Sequence, residues 1–176
     1  MDVAAAGDRT LRTLTRKLLI SLLLCFPLSA LAGEAKVGEP APAVNLPSLT
    51  GAANISLSSL KGKVVYPDFW ASWFPPCRVS FPVLEELRQS FGPEIFEVYA
   101  ISVDEDQADA LKFLADTSPV TYPLVHDANG ASPQAYGVRG MPTGYLIDQT
   151  GTVRKVHQGF KKSDGAKLRA EIARLL

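Results

Sequence analysis

The chain has 176 residues, 47% of them hydrophobic and 20% charged, which are the proportions of one ordinary soluble domain. Eighteen basic side chains balance eighteen acidic ones. That balance excludes a general nucleic-acid binder, which needs a basic excess to displace counterions.

Residues 1–32 read as a secretory signal peptide. Arg9, Arg12, Arg16 and Lys17 form a basic region, an apolar run follows to Leu31, and Ala30-Leu31-Ala32 supplies small residues for cleavage. The alternative is an uncleaved membrane anchor. The apolar run is roughly 14 residues, short of the ~20 that span a bilayer, and Pro27 interrupts it. Cleavage removes four basic and two acidic side chains from eighteen of each, leaving a formal charge of −2. It also removes Cys25, so Cys77 is the mature chain's one cysteine. In an oxidising compartment a lone cysteine is a reactive thiol, an intermolecular partner or a buried hydrophobe.

Residues 33–54, with Pro40, Pro42 and Pro47, predict an extended arm leading into a domain over residues 55–176. Ile55 to Leu60 suggests a short edge strand and turn. A buried strand runs from Val64 through Phe69. Pro75-Pro76 opens a helix whose inner face carries Leu84, Leu87 and Phe91, with Gly92-Pro93 as its stop and Pro82 inside it. Phe96 to Val103 is a second buried strand, and Asp104 to Asp116 fits a helix with an acidic first turn. Tyr122 to Val125 reads as a short strand, and residues 133–137 as a helical turn. Gly144 to Ile147 and Val153 to Gln158 flank a hairpin signal, Gln149-Thr150-Gly151. The tail from Asp164 to Leu176 is an amphipathic helix. Strands alternating with helices and closing on a hairpin and helix describe an α/β three-layer sandwich.

The segment Asp68-Phe69-Trp70-Ala71-Ser72-Trp73-Phe74-Pro75-Pro76-Cys77 resembles the signature of the thioredoxin superfamily, D-F-W-A-x-W-C-x-x-C. Gly137-Val138-Arg139-Gly140-Met141-Pro142-Thr143 resembles its G-V-x-G-x-P-T stretch. Pro40-Ala41-Pro42 and Leu57 to Lys63 are similar to the lead-in of the TlpA/ResA, redoxin-type branch. The resemblance covers residues 38–176 and implies a thioredoxin-like fold, a central mixed β-sheet flanked by helices. It also implies an exported, periplasmic thiol-disulfide oxidoreductase.

The family's chemistry uses two thiols. The first, at a helix start, attacks a disulfide as thiolate, and the second, one turn later, resolves the mixed disulfide. By resemblance Cys77 is the resolving position, while Phe74 occupies that of the nucleophile. A phenyl ring cannot attack sulfur, so dithiol turnover is not expected. The resemblance further implies that Asp68 assists proton transfer beneath the pair, and that Pro142 is the family's cis-proline, whose loop holds substrate backbone. Trp73, Phe74, Pro75, Pro76, Met141 and Pro142 then form a candidate docking surface, while Trp70 reads as core. Pro67 departs from the family in what should be a central strand. It predicts a bulge, a displaced strand start or lowered stability.

His126 and His157 are isolated and fit strand or surface positions. They form no metal-ligand spacing, and no cofactor is expected. Two functions are compatible with these residues. One is a noncatalytic binder of peptides or a partner protein. The other is a one-cysteine redox protein in which Cys77 forms mixed disulfides or meets peroxide. The expected partners are protein or peptide thiols and disulfides of the cell envelope, with membrane contact only if the signal segment stays attached.

Overall fold

The computed structural model describes residues 34–176; the signal segment read at 1–32 lies outside the described residues. Seven consecutive residues, each buried, form β3 (Val64–Trp70). It pairs in parallel with β4 (Phe96–Ser102), which pairs in parallel with β5 (Leu124–His126). On its other side β3 runs antiparallel to β6 (Thr143–Ile147), which turns back into β7 (Val153–Gln158). The sheet order is β5-β4-β3-β6-β7.

Side chains alternate across this sheet, as the pleat requires. Val64, Tyr66 and Trp70 point to one face. There they pack with Leu84 and Leu87 of α1 (Cys77–Phe91), Ala110 and Phe113 of α2 (Gln107–Ala115), and Leu168 and Ile172 of α4 (Asp164–Ala173). Val65 and Phe69 point to the other face. They meet Tyr136 of the short α3 (Ala131–Tyr136), together with Val44, Leu57 and Leu60 from the N-terminal segment. Gly144 lies under the Tyr66 ring, where a Cβ would overlap the phenol.

The N-terminal segment is more ordered than its prolines suggest. Asn45–Pro47 (β1) and Asn54–Ser56 (β2) form a small antiparallel hairpin, followed by a 3-10 turn over Leu57–Leu60. Before it, Pro40 bridges to Thr152 at the β7 edge; within it, Ser48 bridges to Val125 on β5. The segment therefore crosses the back of the sheet from one edge to the other.

Three further expectations are corrected. The first helix begins at Cys77, with Pro76 capping it, so the two prolines precede the helix instead of opening its first turn. The second begins at Gln107: Asp106 is its N-cap, accepting from the Ala108 amide at 2.8 Å, and Asp104 and Glu105 lie outside it. Pro67 makes no bulge and displaces nothing. β3 stays in register with β4 at every residue from Val64 to Trp70. Against β6 it keeps one register on both sides of Pro67, with Val65 opposite Ile147 and Asp68 opposite Gly144, and between those two pairs Tyr66 and Pro67 go unpaired. The missing pairs are the cost of a proline nitrogen that has no hydrogen to give.

Candidate functional site

β3 ends at Trp70 and the chain turns through Ser72–Pro76 into α1. The turn is built from backbone bonds: Phe74 N donates to Ala71 O at 3.2 Å, and Cys77 N to Phe74 O at 3.0 Å. Residues 74 and 77 thus stand one turn apart at the helix start. Trp73 is 67% exposed, and Pro75 and Pro76 are also exposed. Phe74 is half-buried, edge-on to Trp73 with ring centroids 6.1 Å apart, and it packs on the cluster that contains Cys77, Trp70 and Phe81.

Cys77 has no exposed surface. Burial pushes its thiol from 9.0 up to about 12; the Asp68 and Asp104 carboxylates add to the rise, and a backbone hydrogen bond at Ala71 opposes it. At neutral pH the side chain is a thiol, not the thiolate that attacks sulfur.

Asp68 lies on the same sheet face and is 1% exposed. Ser80, one turn beyond Cys77 on the inward stripe of α1, puts its hydroxyl 3.1 Å from Asp68 Oδ2 and 3.0 Å from the Cys77 carbonyl. Among the described residues Asp68 Oδ1 has no hydrogen-bond partner. Burial pushes this carboxyl from 3.8 up to about 7, only partly opposed by the Ser80 hydrogen bond.

A second buried carboxylate, Asp104, holds the turn from behind. Its Oδ1 accepts from Ser72 Oγ at 2.7 Å and Ser72 N at 3.1 Å, and its Oδ2 accepts from Ser102 Oγ at 2.8 Å. The Asp104 carbonyl lies 2.7 Å from His126 Nε2. Ser72, Ser80 and Asp104 were not singled out from the sequence. The available signals were a serine on the buried stripe of an amphipathic helix, and Ser102-Val103-Asp104 ending a mostly apolar strand.

The loop before β6 completes the site. The Met141–Pro142 peptide is cis, Pro142 is buried, and its carbonyl accepts from Gly159 N at 2.8 Å. Met141 is half-buried and packs on both core clusters, so it shares with Phe74 the cluster around Cys77. The six residues of the expected docking surface therefore differ in access, three exposed, two half-buried and Pro142 buried. His126 and His157 both sit on strands, His157 paired with Glu171 at 2.8 Å. Among the described residues no group of His, Cys, Asp and Glu could hold a metal ion.

The chain is similar to known proteins over most of its length. The redoxin family model matches residues 36–172. The chain belongs to the redoxin family. Within it, the chain is 33% identical to the thiol-disulfide oxidoreductase ResA of Geobacillus thermodenitrificans, over 77% of this chain and 76% of that protein. It is 35% identical to the thiol:disulfide interchange protein DsbE of Pseudomonas aeruginosa, over 69% of this chain and 66% of that protein. A Chlorobium tepidum crystal structure, assigned as a thiol:disulfide interchange protein DsbE, superposes with a TM-score of 0.76 at 40% identity, covering 81% of this chain and 99% of the other. The chain spans 66–76% of the length of such curated relatives. These similarities make it a TlpA/ResA-like member of the thioredoxin superfamily, with the mixed sheet and flanking helices of that fold.

Proposed function

We propose that this redoxin is an exported protein that binds peptides or a partner protein of the cell envelope and does not turn over dithiols. The observation that carries the reading is the pairing at the helix start. The position of the attacking group holds the phenyl ring of Phe74, and the thiol one turn behind it is fully buried. Trp73, Phe74, Pro75, Pro76 and Met141, beside the Pro142 loop, supply the docking surface; exposed aromatics are effective anchors at such surfaces. Asp68 and Cys77 occupy the family's proton-transfer and resolving positions without a nucleophile to serve. The basic and apolar pattern of residues 1–32 supports export to the periplasm. The one-cysteine alternative needs an accessible thiolate, and the burial of Cys77 weighs against it.

The test is dithiothreitol-driven insulin reduction by the natural protein and by Phe74→Cys. In the variant, a thiolate at position 74 attacks an insulin disulfide and expels one of its sulfurs as a thiol. Cys77 then displaces the second product, and dithiothreitol reduces the resulting intramolecular disulfide. The expected result is background activity for the natural protein and clear activity for the variant. Activity in the natural protein would overturn the reading, because Cys77 would then be working alone. Inactivity of both, with both folded, would mean that the site is altered beyond Phe74.

A further inference from the structure

The far end of the sheet from Phe74 carries a feature that the redoxin chemistry does not use. Where the N-terminal segment crosses the back of the sheet, it leaves a cavity of about 150 Å³ between itself, the 3-10 turn and the opposing ends of β3 and β6. Pro42, Leu57, Leu60, Val65 and Ile147 supply apolar walls. Val65 and Ile147 face each other across the β3–β6 pair. They sit at the opposite end of it from Phe69 and Thr143, which adjoin the candidate site.

The rim is charged, with two lysines and one carboxylate. Lys61 and Lys63 line the cavity, and neither takes part in an ion pair among the described residues. Lys61 lies over the hairpin turn, its Cε 3.9 Å from where a Cβ on Gly151 would stand. The carboxylate in the lining, Asp148, is already committed. Its Oδ1 accepts from Thr150 N, Thr150 Oγ1 and Thr152 N, and its Oδ2 accepts from Arg154 Nε at 2.6 Å. What a ligand meets is therefore an apolar hollow lined also by two lysines that form no ion pair among the described residues.

We propose that this cavity binds a short-chain carboxylate, with an apolar tail of about five carbons in the hollow and the carboxylate against Lys61 and Lys63. The size fits: an apolar cavity of ~150 Å³ is known to take a molecule as large as benzene. Removing that tail from water supplies the affinity, and the lysines select the charge. An apolar cation of the same length meets two like charges instead. This site is independent of Phe74 and Cys77, so it stands or falls apart from the function proposed for them.

The experiment is a two-dimensional amide NMR titration of the full chain with hexanoate, and separately with hexylamine, at neutral pH. Hexanoate is expected to give saturable shifts at Leu57, Leu60, Lys61, Val65 and Gly151, with no such response to hexylamine. Lys61→Ala with Lys63→Ala is expected to weaken hexanoate about tenfold, equivalent to about 1.4 kcal/mol from two partly screened charges. Lys61→Glu with Lys63→Glu is expected to invert the preference toward hexylamine. Equal binding of the two probes would overturn the proposal. So would shifts centred elsewhere, no saturable shift, or a doubly alanine-substituted protein that binds hexanoate unchanged.

Discussion

Asp104 and Asp68 are both nearly inaccessible, at 2% and 1% exposure, and both adjoin the turn that carries Phe74. Their surroundings differ. Asp104 receives two donors from Ser72 and one from Ser102, and so ties the turn to the end of β4. Asp68 receives one hydroxyl, from Ser80, and among the described residues keeps one oxygen unpartnered. A buried carboxylate with several donors is building material, whereas one with a single donor is a cost unless it is protonated. The comparison separates what shapes the site from what only chemistry would require there.

The largest expected effect tests the second half of that statement. The folded carboxyl of Asp68 titrates at about 7 and an unburied one at 3.8. The folded protein therefore holds this proton to higher pH than the unfolded chain does. Stability from this group is fully present below pH 3.8 and is lost as pH rises to about 7. The loss is on the order of 4 kcal/mol, since each unit is worth about 1.4 kcal/mol. Asp68→Asn removes the titration, so its urea-unfolding stability is expected to exceed that of the natural protein at pH 8. The gap should shrink progressively toward pH 4. A gap independent of pH would mean that Asp68 is ionised and supported in the folded protein.

Asp104→Ala tests the first half. It strands the Ser72 amide and hydroxyl and the Ser102 hydroxyl, and is expected to destabilise by about 3 kcal/mol at neutral pH, the range for breaking a charged hydrogen-bond network. Urea unfolding measures the loss. Native-state amide exchange should show the Ser72 N–H released well before the β3 core. If that amide stayed protected, the turn would be held by its own backbone bonds instead.

Much of the fold was legible in the sequence because the informative signals are local. The apolar runs of β3 and β4, the hairpin at Gln149–Gly151 and the motif around Cys77 each declare themselves within about ten residues. What stayed hidden was set by distance. The β1–β2 hairpin of the N-terminal segment is local, but its course across the sheet is fixed by bridges to partners about eighty to a hundred and ten residues away, Val125 for Ser48 and Thr152 for Pro40. Asp104 was read as the start of a helix because Asp104-Glu105-Asp106 looks like an acidic first turn. Only the tertiary position of Ser72 reveals that the first of the three turns inward while Asp106 does the capping. Cys77 shows the same limit in another form. The motif gave its place, but whether it is a thiolate or a buried thiol follows from packing that no motif encodes.

Pro67 gives the smallest and most local test, because it sits one residue before Asp68 in the same strand. The register on either side places it opposite Tyr145, with no proline N–H to complete the β6 ladder. Its side chain is buried on the face away from Asp68, and valine fills a similar volume there. Pro67→Val restores one backbone hydrogen bond, a gain of about 1 kcal/mol, and frees the unfolded chain, a loss of somewhat less. The expected outcome is a net stabilisation of about half a kcal/mol or less, with the same difference at pH 5 and pH 8. A pH-independent increment would mean that Pro67 affects the ladder alone and leaves the Asp68 pit as it is. An increment that grew with pH would mean that the proline holds the backbone around Asp68 in a shape that worsens its burial, and the departure from the family at Pro67 would then be coupled to the ionisation of Asp68.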